Sequence, residues 1–92
     1  MLIKFHKNSI KFLEKCSKND KEKIRIKLFE LKEFYDGTNL SNINNLQIKN
    51  LDGEWKGFHR LKIGKLRIIY KLNREKKELT VFEIDYRGDI YK

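Results

Sequence analysis

Four cations, Arg60, Lys62, Arg67 and Arg87, and one phenol, Tyr91, fall in the last third of the chain at spacings that let strands bring them together. An arginine fork takes two oxygens of a phosphate at once and stays charged at any working pH. A face of such groups is built to hold phosphate. A tyrosine beside it can stack on a base or move a proton. The choice of arginine is informative in itself. Lysine outnumbers it 17 to 5, yet four of the five arginines follow residue 59.

Convergence depends on strand parity. From Gly57 to Ile63 the chain alternates, so His59, Leu61 and Ile63 point one way and Phe58, Arg60 and Lys62 the other. Gly64-Lys65 reads as a type II′ turn, which sets Ile63 opposite Leu66, Lys62 opposite Arg67 and Arg60 opposite Ile69. Leu66, Ile68, Tyr70 and Leu72 then line the apolar side, and Arg67, Ile69 and Lys71 join the cations. A third strand, Glu78 to Tyr86, is expected to turn Phe82 and Ile84 inward and Val81, Glu83, Asp85 and Arg87 toward the cationic face. Like charges placed opposite each other in a sheet are destabilising, so Lys62 and Arg67 point to an anion bound between them. The competing reading is that Glu83 and Asp85 neutralise the arginines as ordinary surface ion pairs, each worth about 0–1 kcal/mol.

The first half reads as the scaffold for this sheet. Leu2 to His6 is a short strand candidate, and Asn8 or Ser9 caps a helix carrying Ile10, Phe12, Leu13 and Cys16. Asn19 or Asp20 opens a longer helix, with Ile24, Leu28, Leu31 and Phe34 or Tyr35 at helical spacing and Asp36-Gly37 as its stop. The pair forms a hairpin over the apolar face of the sheet. Its lysine-rich outer faces are read as solvated, with contact to RNA or ribosome as the opposing use. Residues 37–53 form an Asn-rich connection, expected to hold a turn of helix or a loop pinned by Leu40, Ile43, Leu46, Ile48 and Leu51.

Ninety-two residues predict one domain, 1–92, large enough for a modest core. There is no 18-residue apolar run, and residues 1–20 are too charged for a signal peptide, so a cytoplasmic location is expected. The single cysteine, Cys16, excludes an internal disulfide. No CxxC or clustered His/Cys spacing suggests zinc, and no cofactor is expected. A net charge of +9 favours an anionic partner, either nucleic acid or an acidic protein.

The run Leu51-Asp-Gly-Glu-Trp-Lys-Gly-Phe-His-Arg-Leu-Lys-Ile-Gly-Lys-Leu-Arg-Ile-Ile-Tyr70 resembles the central segment of the RelE/ParE toxin superfamily. There a Leu-x-Gly precedes a strand of alternating basic residues, a tight turn and an Arg-Ile-Ile-Tyr-like strand. The ending Ile84-Asp-Tyr-Arg-Gly-Asp-Ile-Tyr91-Lys92 is similar to the family's terminal Arg-x-x-x-Tyr pattern, and with the helical hairpin the resemblance spans nearly the whole chain. It implies an α+β fold, with an N-terminal strand and helical hairpin packed on one face of a small antiparallel sheet. It also implies a type II toxin partnered by a cognate antitoxin. In the RelE branch the toxin enters the ribosomal A site and cuts mRNA.

Carried over by position, the resemblance implies catalytic roles for Arg67, Arg87, Lys62 and Tyr91, with Arg60 as a backbone clamp. Lys56, Lys71 and Trp55 are further RNA-binding candidates. Trp55 is equally readable as packing under a loop. Lys62 is the candidate general base if neighbouring cations lower its pKa, as like charges do. Glu54 ranks below it. Many relatives place a histidine just before the terminal arginine, and here Tyr86 stands there. With an ordinary pKa of about 10, a tyrosine is a poor substitute in proton transfer. Parity sends His59 toward the apolar side, as a core or edge histidine. The ParE branch, a protein-binding poison of DNA gyrase without nuclease chemistry, is the alternative. A plain RNA-binding module is a third reading, for which Phe58 and Trp55 are the only evident stacking aromatics.

Overall fold

A computed structural model of the chain describes residues 1–37 and 46–86. Strand β1 (Leu2–Phe5) leads into helix α1 (Lys7–Lys15) and helix α2 (Lys18–Asp36), followed by β2 (Gln47–Asn50), a single 3₁₀ turn at Gly53–Trp55, β3 (Phe58–Ile63), β4 (Leu66–Asn73) and β5 (Glu78–Tyr86). The strands form one five-stranded sheet in the order β1-β5-β4-β3-β2. The fold is α+β, as expected, but the sheet is mixed, because β1 lies parallel to β5 while the other pairings are antiparallel. The chain passes through α1 and α2 before it reaches the rest of the sheet, and so long a connection leaves either strand direction open to β1.

Both helices begin earlier than the sequence suggests. His6, not Asn8 or Ser9, caps α1, its ring Nδ1 accepting the Asn8 N–H at 3.3 Å. This frees Ser9 to be buried, where its hydroxyl shares one proton between the carbonyls of His6, at 2.7 Å, and Val81, at 3.0 Å. Ser17 caps α2 by accepting the Asp20 N–H at 3.1 Å. Gly37 ends α2 at φ 72°, the left-handed position anticipated for it.

The core lies between α2 and one face of the sheet. Ile24, Leu28 and Leu31 of α2 pack with Leu61, Ile63, Leu66, Ile68, Tyr70, Leu79, Val81 and Ile84, all buried. Phe12 and Leu13 of α1 are half-buried against this cluster, while Ile10 is exposed.

Two further corrections shape the other face. Residues 47–50, expected within a loop or a turn of helix, are an edge strand, with Ile48 opposite Leu61 and Lys49 opposite Arg60. In β5 a bulge interrupts the register, since Ile69 pairs with Glu83 and Tyr70 pairs with Val81, leaving Phe82 as the extra residue. Val81 is therefore in the core rather than on the cationic face. Phe82 lies on the open face instead of turning inward, against Phe58.

Candidate nucleic-acid interface

The β3–β4 hairpin has the expected register throughout, including Lys62 opposite Arg67 and Arg60 opposite Ile69. Gly64 sits at φ 56°, and Lys65 is not among the positive-φ residues, which is the type II′ pattern. Because β2 adds Lys49 opposite Arg60, the open face carries two successive like-charged cross-strand pairs, Lys49/Arg60 and Lys62/Arg67. Lys71 lies further along the same face, opposite Phe58.

The competing reading, neutralisation of the arginines by Glu83 and Asp85, is not the arrangement seen among the described residues. Among the described residues no carboxylate lies within ion-pair distance of Lys49, Arg60, Lys62 or Arg67. Asp85 is directly opposite Arg67 but accepts the Tyr86 N–H at 2.8 Å, and Glu83 accepts from the Asn8 amide at 2.7 Å. Arg67 is only 6% exposed, and one of its terminal nitrogens donates to the Gly64 carbonyl at 3.0 Å and the Leu66 carbonyl at 3.1 Å. Those bonds lock the guanidinium to the hairpin turn, so its orientation is set before any ligand arrives. Arg60 is half-buried, and its Nε is buried without a hydrogen-bond partner. A buried donor left unmatched costs about 1–3 kcal/mol, more for a charged group.

Arg87 and Tyr91 lie outside the described residues. Lys56 is exposed at the end of the 3₁₀ turn, and Glu54 is exposed within it. Trp55 is half-buried, its ring edge-on to Phe58 with centroids 5.3 Å apart, so it packs beside the site and keeps part of its surface open. The Lys71 ammonium sits 5.3 Å from the Phe58 ring centre. His59 stacks on Tyr70 at 5.2 Å on the core side, its Nδ1 2.6 Å from the Asn50 side-chain oxygen. Burial, followed by the charge of Arg74, lowers its pKa, and the ring lies on the side of the sheet that strand parity predicts. The Tyr86 hydroxyl donates to Asp20 at 2.8 Å, and this bond, more than desolvation, raises its pKa. That ties the phenol to the helix layer.

Two features of this face were missed at the sequence level. Lys49 had a signal, because Leu46 and Ile48 alternate with Gln47 and Lys49. Phe82 had none, because a bulge is set by pairing with a partner strand. Among the described residues no group of three or more His, Cys, Asp or Glu side chains could hold a metal ion, and no helix is long and apolar enough to cross a membrane.

No family sequence model and no curated protein matches the chain. Its architecture does match solved structures. RelE in the RelE–RelB complex of Pyrococcus horikoshii superposes with a TM-score of 0.70 at 21% identity, over 96% of each chain. The isolated RelE toxin of E. coli gives 0.68 at 20% identity, over 98% of this chain and 89% of that one. The chain has the RelE toxin fold. A metal-bound toxin from Helicobacter pylori shares it as well, with a TM-score of 0.77 at 17% identity over 99% of each chain. Within this RelE-like scaffold the cations, without carboxylate partners among the described residues, occupy the sheet face away from α2, and the helical hairpin backs the other side.

Proposed function

We propose that the protein is the toxin of a type II toxin–antitoxin pair and an mRNA endoribonuclease that acts in the ribosomal A site. The observation that carries this reading is the open sheet face, where Lys49/Arg60 and Lys62/Arg67 stand opposite one another without carboxylate partners among the described residues.

RNA brings its own nucleophile. The 2′-hydroxyl attacks the adjacent phosphorus and the bond to the 5′-oxygen breaks, leaving a 2′,3′-cyclic phosphate and a 5′-hydroxyl. One proton leaves the 2′-oxygen and one reaches the 5′-oxygen, so no metal-generated hydroxide is needed. Arg67, preoriented by its turn carbonyls, stabilises charge on the phosphorane oxygens. Arg60, half-buried on the same face, contacts a neighbouring phosphate through its guanidinium and fixes the strand. Lys62 contacts phosphate as the ammonium, and only its neutral form can take the proton of the 2′-hydroxyl. Arg87 and Tyr91 keep the roles implied by the resemblance, a second phosphate contact and a stacking or proton-transferring phenol.

RelE neighbours in complex with RelB support a cognate antitoxin as partner. Its chemistry is expected to be acidic, to cover the cations, and amphipathic. Beyond the cationic face, an apolar groove between β1 and α2 is lined by Ile3, Leu13, Ile24, Leu28 and Phe29 and rimmed by Lys21, Arg25 and Lys32. An amphipathic helix with acidic flanks suits both its floor and its rim.

Primer extension on mRNA incubated with the purified protein, with and without programmed ribosomes, tests the proposal with Arg67→Ala in parallel. Cuts that need ribosomes and disappear in the variant are expected. Cuts by the free protein, lost in the same variant, would instead make it a ribosome-independent ribonuclease on this face. Absence of cuts together with inhibition of gyrase supercoiling would replace the nuclease reading by the ParE-like one.

A further inference from the structure

The bulge in β5 gives the open face a feature that strand alternation hides. Phe82, turned outward, stacks on His6 with centroids 5.2 Å apart and planes at 17°. It also meets Phe58 edge-to-face at 4.9 Å, and Phe58 meets Trp55 edge-to-face at 5.3 Å. Four rings, Trp55, Phe58, Phe82 and His6, thus form one continuous rail across the sheet from the β2–β3 connection to the end of β1. Each is half-buried, so none is wholly consumed by packing. The rail abuts the cations directly. Phe58 and Arg60 lie two residues apart on the same face of β3, about 7 Å along the strand. Lys71 reaches over Phe58 from β4.

We infer that this rail is a nucleobase-stacking subsite, which holds the bases of single-stranded RNA next to the phosphate gripped by Arg60, Lys62 and Arg67. Aromatic faces set beside a row of unpaired cations match single-stranded nucleic acid, which offers bases and phosphates in alternation. An acidic peptide would also meet the cations, but only a nucleic acid would bind more tightly for carrying bases. Stacking accepts every base, because each has a π-face, and purines offer the larger one. The subsite therefore supplies grip and a purine preference rather than a strict sequence code. The inference rests on the proposed function for the identity of the ligand as RNA, but not on cleavage.

Trp55 is the only tryptophan of the chain, so its fluorescence reports on the rail without interference. The probe is a 2′-O-methyl oligoadenylate, which lacks the internal nucleophile and stays intact. An abasic 2′-O-methyl oligomer of equal length and charge is the control. Intact protein is expected to bind the adenylate roughly 10-fold or more tightly than the abasic oligomer, the scale of one stacked base. Trp55 emission should be quenched by the adenylate alone. Trp55→Leu and Phe82→Leu, which keep apolar volume but remove a ring face, should shrink the affinity ratio, and Phe82→Leu should weaken the quench. Equal affinity for the two oligomers with unchanged Trp55 emission overturns the inference, whatever the variants do. Base-dependent quenching in a protein that cuts no mRNA would keep the rail and remove the nuclease reading, and mRNA cleavage without it would do the reverse.

Discussion

Replacing Lys62 by glutamine should make the protein more stable and less able to bind RNA. Lys62 and Arg67 are direct cross-strand partners, and Lys49 and Arg60 repeat the arrangement in the next row of the same face. Glutamine keeps a hydrogen-bonding tip on a shorter apolar stem and removes one charge from the repulsive pair. Cross-strand pair energies of about 0.2–1 kcal/mol set the size of the relief. In a domain of this length 1 kcal/mol moves the melting temperature by about 4–8 °C, so Lys62→Gln is expected to raise it by about 1–8 °C. The gain is Coulombic and should fade near 1 M salt, where the screening length is about 3 Å. The same change should weaken binding of single-stranded RNA and reduce the slope of log affinity against log salt by about 0.7, one phosphate contact. Thermal melts at low and high salt, with fluorescence anisotropy on a short RNA, read both effects. If Lys62→Gln melts at or below the wild-type temperature at low salt, the cations are not held together against the interest of the fold. The inference from like-charge opposition to a bound anion then fails.

Arg67→Ala is expected to reduce mRNA cleavage by about 10²–10³ if the arginine stabilises the phosphorane, with Arg67→Lys recovering only part of it, as measured by single-turnover rates. Because its guanidinium also holds the Gly64 and Leu66 carbonyls, Arg67→Ala should cost about 1.5–3 kcal/mol in denaturant titrations, so the two losses must be measured separately. Tyr70→Phe leaves the Tyr35 hydroxyl, now 2.8 Å from that of Tyr70, without its partner and should lower stability by about 1–3 kcal/mol. Tyr70 faces the helix layer, so RNA affinity should be retained in the same variant. His59 titrates below its ordinary value of about 6.5 in the folded protein, so the unfolded chain takes up its proton first as pH falls. Its contribution to stability is complete above that value and is lost as pH drops toward the folded pKa. Urea midpoints measured across this window should fall with pH, and His59→Gln should flatten the dependence.

The β3–β4 hairpin was legible because everything that defines it is local. Period-two alternation on either side of Gly64-Lys65 determines the register, and the register alone places Arg60, Lys62 and Arg67 on one face. The stop of α2 at Gly37 and its core stripe of Ile24, Leu28 and Leu31 were readable for the same reason. What the residues could not reveal lies in pairings between distant segments. Four residues at Gln47–Asn50 become a strand because β3 presents an edge, and that pairing brings Lys49 to the site. Likewise β1 runs parallel to β5, and its exit into α1 supplies both the His6 N–H and the Ser9 hydroxyl to the Val81 carbonyl. The bulge beside that carbonyl reverses the parity of Val81 and Phe82, turning a residue read as core into part of an aromatic surface. Alternation within one strand is a property of the chain's own stereochemistry. Where the alternation breaks is decided by the strands and helices packed against it, and only the tertiary structure contains them.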